Sequence, residues 1–245
     1  MRIAYYALHY GKEYLAWSIR SIQDAVEQIH IFYTPEPSYG HGRGARCPDT
    51  EAELQEQAHR FAAVPILWHR GRWGSEGAHR SAIYQHATGA TQCLVVDADE
   101  VWLPGAAKAA LDAAQGSGAH HFGVPFVHFW RSFHWVCRDH WMPIRVLNFE
   151  RRNRSPEFLH HSTPVCHFGY AQSVALTEYK WSCHGHQDEL RAGWLERFKS
   201  WMPGTVGFTD VHPTTHNIWT PEPFEVKTLD SVLSDHPNRH LERIP

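Results

Sequence analysis

Three acidic residues follow a pair of valines in the stretch VVDADE (residues 95–100): Asp97, Asp99 and Glu100. Carboxylates this close repel each other, and burial at the end of a strand increases that repulsion. Either a cation offsets the charge or the chain turns into water here. The D-x-D spacing of hard oxygen ligands suits Mg²⁺ or Mn²⁺, which keep open coordination positions for phosphate oxygens. The stretch therefore indicates a metal and phosphate site, with an acidic surface turn as the alternative.

The elements that precede the acids alternate between two hydrophobic periods. Period-two and continuous apolar runs predict strands, and apolar spacing near 3.6 predicts helices. The predicted strands are 2–8, 29–34, 64–69 and 92–99, and the predicted helices are 12–26, 50–62 and 75–88. Strands that alternate with helices indicate a parallel sheet covered on both faces. Open sheets of this kind hold ligands at the carboxyl ends of their strands, which is where the acids lie.

The pattern changes after Gly105. The remaining elements are a short helix at 105–114, strands in FGVPFVHFW (122–130) and IRVLNFE (144–150), and a helix near 189–201. The two strand sequences are typical of a mixed sheet. The final residues, 203–245, are rich in Pro and His and show little periodicity. The sequence contains no internal repeat.

Composition restricts the class of protein. A chain of 245 residues is long enough to bury the core of one α/β domain. A net charge of -3 gives no general signal for binding polyanions. Five cysteines without a C-x-x-C pair fit reduced thiols better than a disulfide framework. MRIAYYALHY does not read as a signal peptide, and no apolar run reaches membrane-spanning length, so we predict a soluble cytoplasmic protein.

Four features together resemble glycosyltransferases of the GT-A fold and, more loosely, glycosyltransferase family 2. They are the opening strand and helix, the segment SEGAHRSAIYQHATGATQCLVVDADEVWLP, the aromatic strand FVHFW, and CHFGYA followed by Lys180. The resemblance covers roughly residues 2–186. It implies an α/β, GT-A-like fold with a central mostly parallel mixed sheet flanked by helices.

The resemblance also implies how the chain is organised. We expect a single domain over residues 1–245, with a nucleotide-binding half at 1–105 and an acceptor and metal half at 106–202. Residues 203–245 are expected to form a tail that packs on this domain.

The resemblance assigns a metal site to the acids. In such enzymes the first acid of D-x-D faces the nucleotide ribose and the metal, and the second binds the metal, which implies these roles for Asp97 and Asp99. A further ligand is often a histidine after the last strands, and His167 in VCHFGYA matches it, with His184 and His186 as alternatives. The implied cofactor is Mn²⁺ or Mg²⁺. For Glu100 two roles are equally expected: it braces the following turn, or it takes part in catalysis.

Donor-binding residues follow from the same resemblance. The end of the first strand, with Leu8, His9 and Tyr10, corresponds to the place where this fold holds the nucleotide base. Arg80 lies one helix before the acids and is expected either to reach the phosphates or to brace Asp97. Lys180 resembles the basic residue that meets the diphosphate.

Transfer also needs a base and an acceptor site. An acceptor hydroxyl loses a proton as it attacks the anomeric carbon, so an inverting enzyme needs a carboxylate or histidine on the acceptor side. Asp139 in CRDHW is the first candidate for this base and Asp188 is the second. The segment FVHFWRSFHW supplies the acceptor candidates Trp130, Arg131 and Trp135, although an alternating aromatic strand is also what a core requires.

The resulting hypothesis is a metal-dependent glycosyltransferase that uses a UDP- or GDP-sugar. Its expected acceptor is a glycan or glycolipid. A hydroxymethylated pyrimidine in DNA is an alternative acceptor, because Arg151, Arg152 and Arg154 beside many aromatic residues are able to hold phosphates and a flipped base. Two alternatives from other classes are a non-catalytic module that binds nucleotide sugars or carbohydrate, and a His-rich zinc metallohydrolase.

Overall fold

A computed structural model describes residues 1–37, 46–150, 155–160, 162–183, 185–205 and 209–245. Its strands are β1 (Arg2–Leu8), β2 (Gln28–Tyr33), β3 (Ile66–Arg70), β4 (Gln92–Val95), β5 (Glu100–Val101), β6 (His121–Gly123), β7 (Phe126–Trp130), β8 (Trp135–Arg138), β9 (Ile144–Asn148), β10 (Glu157–Phe158), β11 (Val165–Tyr170) and β12 (Glu222–Pro223). Its α-helices are α1 (Lys12–Ile22), α2 (Glu51–His59), α3 (Glu76–Ser81), α4 (Ala106–Gln115), α5 (Val174–Cys183), α6 (Trp194–Ser200) and α7 (Asp230–Leu233). Short 3₁₀ turns lie at Ala82–Gln85, Gln187–Glu189 and Val226–Leu229.

A seven-stranded sheet forms the centre of the fold. Its strand order is β10-β6-β9-β4-β1-β2-β3. β1 pairs in parallel with β2 and β4, and β2 pairs in parallel with β3. β9 runs antiparallel to both of its neighbours, so it alone is reversed in this sheet. The predicted fold class, an α/β protein with a central mostly parallel mixed sheet flanked by helices, is confirmed.

Helix α1 connects β1 to β2 and is buried along most of its length. Leu15 and Ile19 are fully buried on one face, in the core that also holds Leu94 and Val96 of the β4 segment. The first turn is capped by a residue that is remote in sequence: Asp49 Oδ2 accepts hydrogen bonds from the backbone N–H groups of Gly11 (2.6 Å) and Lys12 (3.0 Å). This contact satisfies two of the donors that a helix start leaves open.

Several predicted elements are shorter in the structure than in the sequence pattern; the strand predicted at 92–99, for example, ends at Val95. The first helix ends at Ile22 instead of residue 26, because the N–H of Ala25 closes a turn onto the carbonyl of Ile22 before β2 begins. The helix predicted near 189–201 is limited to α6 and the 3₁₀ turn Gln187–Glu189. The predicted strand 122–130 is interrupted at Pro125, which has no N–H to donate to a ladder. Its two parts, β6 and β7, belong to different sheets.

A second sheet of five strands, ordered β12-β8-β7-β11-β5, begins directly after the acidic turn. β5 runs antiparallel to β11, which places His167 opposite Glu100. β11 also runs parallel to β7, which places His167 beside His128. The second sheet thus brings β7 and β11, from later segments of the chain, next to the turn at the end of β4.

The final segment of the chain contacts the second sheet and helix α1. β12 pairs with β8, and the N–H of Ile244 donates to the carbonyl of Arg131 (2.7 Å). Val226, Leu229 and Leu233 are buried in a core cluster together with Tyr14 of α1. In the described part of the chain, no helix is both long and apolar enough to span a membrane.

His236 in this final segment is buried as a neutral imidazole. Its ring stacks on Tyr14, with ring centroids 4.7 Å apart, and only 3% of the residue is exposed. Its Nδ1 accepts a hydrogen bond from the N–H of Asn238 (3.1 Å), so its Nε2 carries the hydrogen and donates to the carbonyl of Glu13 (3.0 Å). Burial lowers the pKa of His236 to about 4.

We therefore expect the stability of the protein to fall as the pH drops from 6.5 to 4. The unfolded chain takes up a proton on this histidine near pH 6.5, whereas the folded chain resists it until about pH 4. The shift corresponds to a loss of about 3 kcal/mol. Urea unfolding of the wild type and of His236→Gln between pH 7 and pH 4.5 measures it. The substitution should flatten the pH dependence, and the exposed control His59→Gln should not. Equal slopes for all three proteins would contradict the assignment.

Candidate functional site

The acidic turn lies at the carboxyl edge of the central sheet. β4 ends at Val95, and the N–H of Glu100 donates to the carbonyl of Asp97 (3.1 Å), so the chain reverses within four residues and enters β5. A pocket of about 230 Å³ opens at this edge. It is lined by Ala7, His9, Tyr10, Gly11, Glu76, His79, Arg80, Asp97, Ala98, Asp99, His167, Tyr170, Gln172 and Lys180.

Protein cations offset the first and third acids. Asp97 accepts hydrogen bonds from Arg80 Nη1 (3.2 Å) and Arg145 Nη2 (2.7 Å). Glu100 is fully buried and accepts from Arg145 Nε at 2.9 and 3.0 Å, with a further bond from Arg145 Nη2. Two guanidinium groups therefore take the place of a metal ion in balancing Asp97 and Glu100.

The pKa shifts reflect this pairing. Burial by itself would raise the pKa of Asp97, but Arg80 and Arg145 outweigh it and hold that pKa well below its usual value. Burial raises the pKa of Glu100 above its usual value, although Arg145 opposes the shift. Glu100 also accepts from the N–H of Asp97 through Oε2 (3.3 Å), so it braces the turn. Of the two roles expected for Glu100, the structure favours the brace.

Asp99 lines the pocket together with Asp97 but is held less tightly. Its Oδ2 lies 3.5 Å from Lys180 Nζ and 3.7 Å from His167 Nε2, so both contacts are looser than those of Asp97. Gly169 is needed for this arrangement, because a Cβ there would lie 2.6 Å from His167 Nε2 and 2.7 Å from Lys180 Nζ. The imidazole and the ammonium therefore approach Asp99 across a residue without a side chain.

The small residues around the acids have a packing reason. Gly11 has φ of +123°, and a Cβ at Gly11 would lie 2.7 Å from the Cβ of Ala98. The start of α1 thus lies directly against the alanine between the two aspartates. A larger side chain at either position would push the acidic turn away from β1.

The end of β1 forms the opposite side of the pocket. His9 Nδ1 donates to the carbonyl of Thr34 (2.7 Å), which leaves Nε2 to accept from the hydroxyl of Tyr179 (2.6 Å). The ring of Tyr10 is edge-on to Tyr179, with centroids 5.6 Å apart. Leu8, in contrast, is 1% exposed and belongs to the core, so of the three predicted base-binding residues only His9 and Tyr10 line the pocket.

Helix α3 positions Arg80. Ser75 caps the helix by accepting from the N–H of Ala78 (3.1 Å). One turn later Arg80 Nε donates to Glu76 (2.7 Å) while its Nη1 reaches Asp97. Both Arg80 and Glu76 line the pocket, so Arg80 braces Asp97 and also faces the ligand space.

The two predicted bases do not reach the pocket surface. Asp139 accepts from Asn217 Nδ2 (2.5 Å) and Trp219 Nε1 (3.2 Å), and it lies behind the pocket wall, 3.9 Å from His128 Nε2. Asp188 is exposed in the 3₁₀ turn Gln187–Glu189 and does not line the pocket. As placed here, neither carboxylate can take a proton directly from a molecule in the pocket.

The predicted acceptor residues are part of the core. Trp130 and Arg131 are each 1% exposed, and Arg131 lies over the ring of Phe198 (4.4 Å to the centroid). Trp135 is partly buried against Trp201. The alternation of aromatic residues in this strand therefore serves packing, and these side chains do not form an acceptor platform in the structure.

The metal-ligand set is smaller than expected. Asp97 pairs with two arginines, which leaves Asp99 and His167 as ligands. Asp99 Oδ2 and His167 Nε2 lie 3.7 Å apart, which is close enough for both to bind one ion at about 2.1 Å. His186 pairs with Glu189 at an exposed site (2.8 Å), and His184 lies outside the described residues. Across the described ranges, no group of three or more His, Cys, Asp or Glu is placed to hold a metal. The pair fits an ion only if water or a bound ligand supplies the other positions.

Two residues of the site were missed by the sequence analysis. Arg145 lies in the otherwise apolar strand IRVLN, and His128 lies in the centre of FVHFW. An arginine in a strand is often paired with a carboxylate, but which carboxylate Arg145 meets depends on the register of β9 against β4, which local sequence does not reveal. The contact of His128 with His167 depends on the pairing of β7 with β11, which local sequence does not reveal.

Comparisons with known proteins do not identify a family. No family model matches the chain, and no characterised protein matches its sequence. Among solved structures that match is a crystal structure of 4-diphosphocytidyl-2C-methyl-D-erythritol synthase, with 16% sequence identity over 60% of this chain and 74% of that chain, at a TM-score of 0.36. A likeness at this level does not assign a function, which has to be argued from the pocket itself.

Proposed function

We propose that this protein is a metal-dependent glycosyltransferase that moves a sugar from a nucleotide-diphosphate sugar to an acceptor hydroxyl. The observation that carries the proposal is the convergence of Asp99, His167 and Lys180 on one pocket at the carboxyl edge of the sheet. These groups combine a carboxylate, an imidazole and a cation, which is the chemistry that a metal-bound diphosphate requires.

The pocket residues have separate roles in this proposal. His9 and Tyr10 receive the nucleotide, with the ring of Tyr10 available for stacking on the base. Arg80 and Lys180 contact the diphosphate. Asp99 and His167 hold Mn²⁺ or Mg²⁺, which when bound supplies a Lewis acid for the leaving nucleotide.

The charge of the pocket supports a requirement for a metal. The carboxylates that line the pocket or pair with Arg145 belong to Glu76, Asp97, Asp99 and Glu100, and the cations of this group belong to Arg80, Arg145 and Lys180. With all seven groups ionised and the histidines neutral, the site is slightly negative before a ligand arrives. A nucleotide diphosphate adds at least two further negative charges, and a divalent cation offsets them.

We expect the metal and the nucleotide to bind together. Since the described protein groups offer only two ligands, Mn²⁺ alone should bind weakly, and UDP or GDP should increase its affinity at least tenfold by adding phosphate oxygens. Linkage requires that Mn²⁺ raise nucleotide affinity by the same factor. Isothermal titration of each ligand with and without the other measures both quantities. Tight Mn²⁺ binding without nucleotide would contradict the two-ligand site.

Turnover tests the proposal itself. A screen of UDP- and GDP-sugars by thermal shift identifies the donor, because only ligands that prefer the folded state raise the melting temperature. Release of free nucleotide from that donor should require Mn²⁺ or Mg²⁺ and stop in excess EDTA. Metal-dependent donor binding without release would favour the non-catalytic module. Full activity in EDTA would remove metal from the proposal.

The acceptor is proposed to be a glycan or glycolipid. The arginines that suggested hydroxymethylated DNA, at 151, 152 and 154, lie outside the described residues. The zinc metallohydrolase gains no support, since the described histidines and cysteines form no group of three suitable ligands.

A further inference from the structure

A line of three polar side chains leads from the inside of the protein to the pocket. Asp139 Oδ2 lies 3.9 Å from His128 Nε2, His128 Nδ1 lies 2.8 Å from His167 Nδ1, and His167 Nε2 faces Asp99 in the pocket. The line is built by the second sheet, because β7 and β11 place the two histidines side by side in register. The proposed function uses only its last member.

The contact between the two histidines fixes their hydrogens relative to each other. At 2.8 Å one Nδ1 must donate and the other must accept. In one arrangement His167 donates from Nδ1, which leaves its Nε2 lone pair facing the pocket and the hydrogen of His128 on Nε2, towards Asp139. In the other arrangement His128 donates from Nδ1, and His167 presents an N–H to the pocket.

The charges at the two ends favour the first arrangement. Asp139 forms no ion pair with Lys or Arg in the described chain, so its negative charge acts directly on His128 Nε2 and favours a hydrogen there. The negative charge of Asp99 at the other end is offset by Lys180, whose Nζ lies 3.5 Å from Oδ2. Lys180 also favours a lone pair, not an N–H, on the neighbouring His167.

The surroundings hold the line in place. Asp139 is fixed by hydrogen bonds from Asn217, Trp219 and the N–H of Trp141 (2.9 Å). The ring of Trp219 stacks on His128, with centroids 4.4 Å apart. His128 Nε2 is buried and has no hydrogen-bond partner within the described structure, so Asp139 is the negative group beside it.

We propose that Asp139 and His128 are positioning residues that hold His167 as the Nδ1–H tautomer, with the Nε2 lone pair directed into the pocket. The value of this tautomer to catalysis rests on the proposed function, because only an unprotonated Nε2 can bind a metal ion. The inference also gives Asp139 a role that differs from the general base expected from the sequence.

Nitrogen NMR of the metal-free protein tests the tautomer without any ligand. Long-range ¹H–¹⁵N correlation spectra of histidine-labelled protein distinguish protonated from unprotonated ring nitrogens, and single His→Gln variants assign the signals. We expect His167 to be protonated at Nδ1 and His128 at Nε2. Two other residues serve as references: His120, whose Nδ1 donates to the carbonyl of Asn148 (2.7 Å), and His236, which carries its hydrogen on Nε2. A hydrogen on His167 Nε2 in the wild type would overturn the inference.

Variants of His128 test its positioning role. His128→Phe keeps an aromatic ring against Trp219 but removes the acceptor, so His167 should become a mixture of tautomers. The Mn²⁺ concentration for half-maximal nucleotide binding should then rise about tenfold. His128→Gln offers an oxygen to His167 and an amide to Asp139, and it should restore most of the wild-type behaviour. An unchanged tautomer and Mn²⁺ requirement in His128→Phe would also overturn the inference.

The two readouts separate this inference from the proposed function. The expected tautomer together with no binding of any nucleotide would support the positioning role of His128 and contradict the glycosyltransferase. Nucleotide binding that depends on metal, together with the opposite tautomer, would support the proposed function and contradict the positioning role of His128.

Discussion

Replacing Arg145 with Met is expected to lower the free energy of unfolding by about 3–5 kcal/mol, the usual effect of removing one partner of a buried ion pair. Arg145 is the partner of Glu100, which is fully buried, and it also binds Asp97. Without the guanidinium, Glu100 keeps its desolvation penalty and loses the hydrogen bonds from Arg145. Urea denaturation at pH 7 measures the loss.

The controls for Arg145→Met separate burial from pairing. Arg138 forms an ion pair with Glu222 in which both side chains are about half exposed or more (67% and 48%), so Arg138→Met should cost at most about 1 kcal/mol. Adding Glu100→Leu to Arg145→Met should recover much of the lost stability, since a buried pair is often replaceable by apolar residues. If Arg145→Met and Arg138→Met had equal effects, Glu100 would not be a buried acid that depends on Arg145.

The position of the site was accessible from the sequence because it follows from local patterns. The strand–helix alternation before residue 105 predicts a parallel sheet, and the hydrophobic run before Asp97 places the acids at its carboxyl edge. The pocket contains His9, Tyr10, Arg80, Asp99, His167 and Lys180, each of which was predicted from its place relative to these elements. Arg80 lies in the predicted helix 75–88, which directly precedes the strand that ends at the acids.

The partners of the acids were not accessible because they depend on pairing between distant strands. The sequence offered Arg80 as a brace of Asp97, but the second cation, Arg145, comes from a strand 48 residues later that runs antiparallel to β4. The register of β9 against β4 decides that contact, and a shift by one residue would turn Arg145 to the other face. The placement of Asp139 behind His128 similarly depends on how β8 pairs with β7.

Core packing explains why the acceptor residues were misassigned. Trp130 and Trp135 lie in an aromatic stretch that is compatible with an exposed binding surface. However, β7, which ends at Trp130, is covered on both faces, and Trp135 at the start of β8 packs against Trp201. Trp130 packs against Trp194 and Phe198, which come from α6. Whether an aromatic strand lines a groove or fills a core depends on what covers it, and that information lies in distant segments.

The contrast between the two aspartates leads to the prediction with the largest effect on activity. Asp97 is held by two arginines, so its loss leaves Arg145 and Arg80 with fewer partners and should reduce stability. Among the described residues, the side chain of Asp99 is held only by contacts of 3.5 and 3.7 Å, so its loss should leave the fold almost unchanged. Stability and turnover should therefore separate the two positions.

We expect Asp99→Asn to reduce metal-dependent donor turnover about 10³-fold, because the ion loses its charged ligand and a metal is worth several kcal/mol of transition-state stabilisation. The melting temperature should stay within about 2 °C of the wild type, since the one ion pair that is weakened, Asp99 with Lys180, is loose at 3.5 Å. Nucleotide release at saturating Mn²⁺, measured beside thermal unfolding, gives both values. Asp188→Asn, an exposed carboxylate that does not line the pocket, is the matched control and should leave both unchanged. If Asp99→Asn retained wild-type turnover with the same Mn²⁺ requirement, the metal would have to bind elsewhere, and Asp99 would serve only to pair with Lys180.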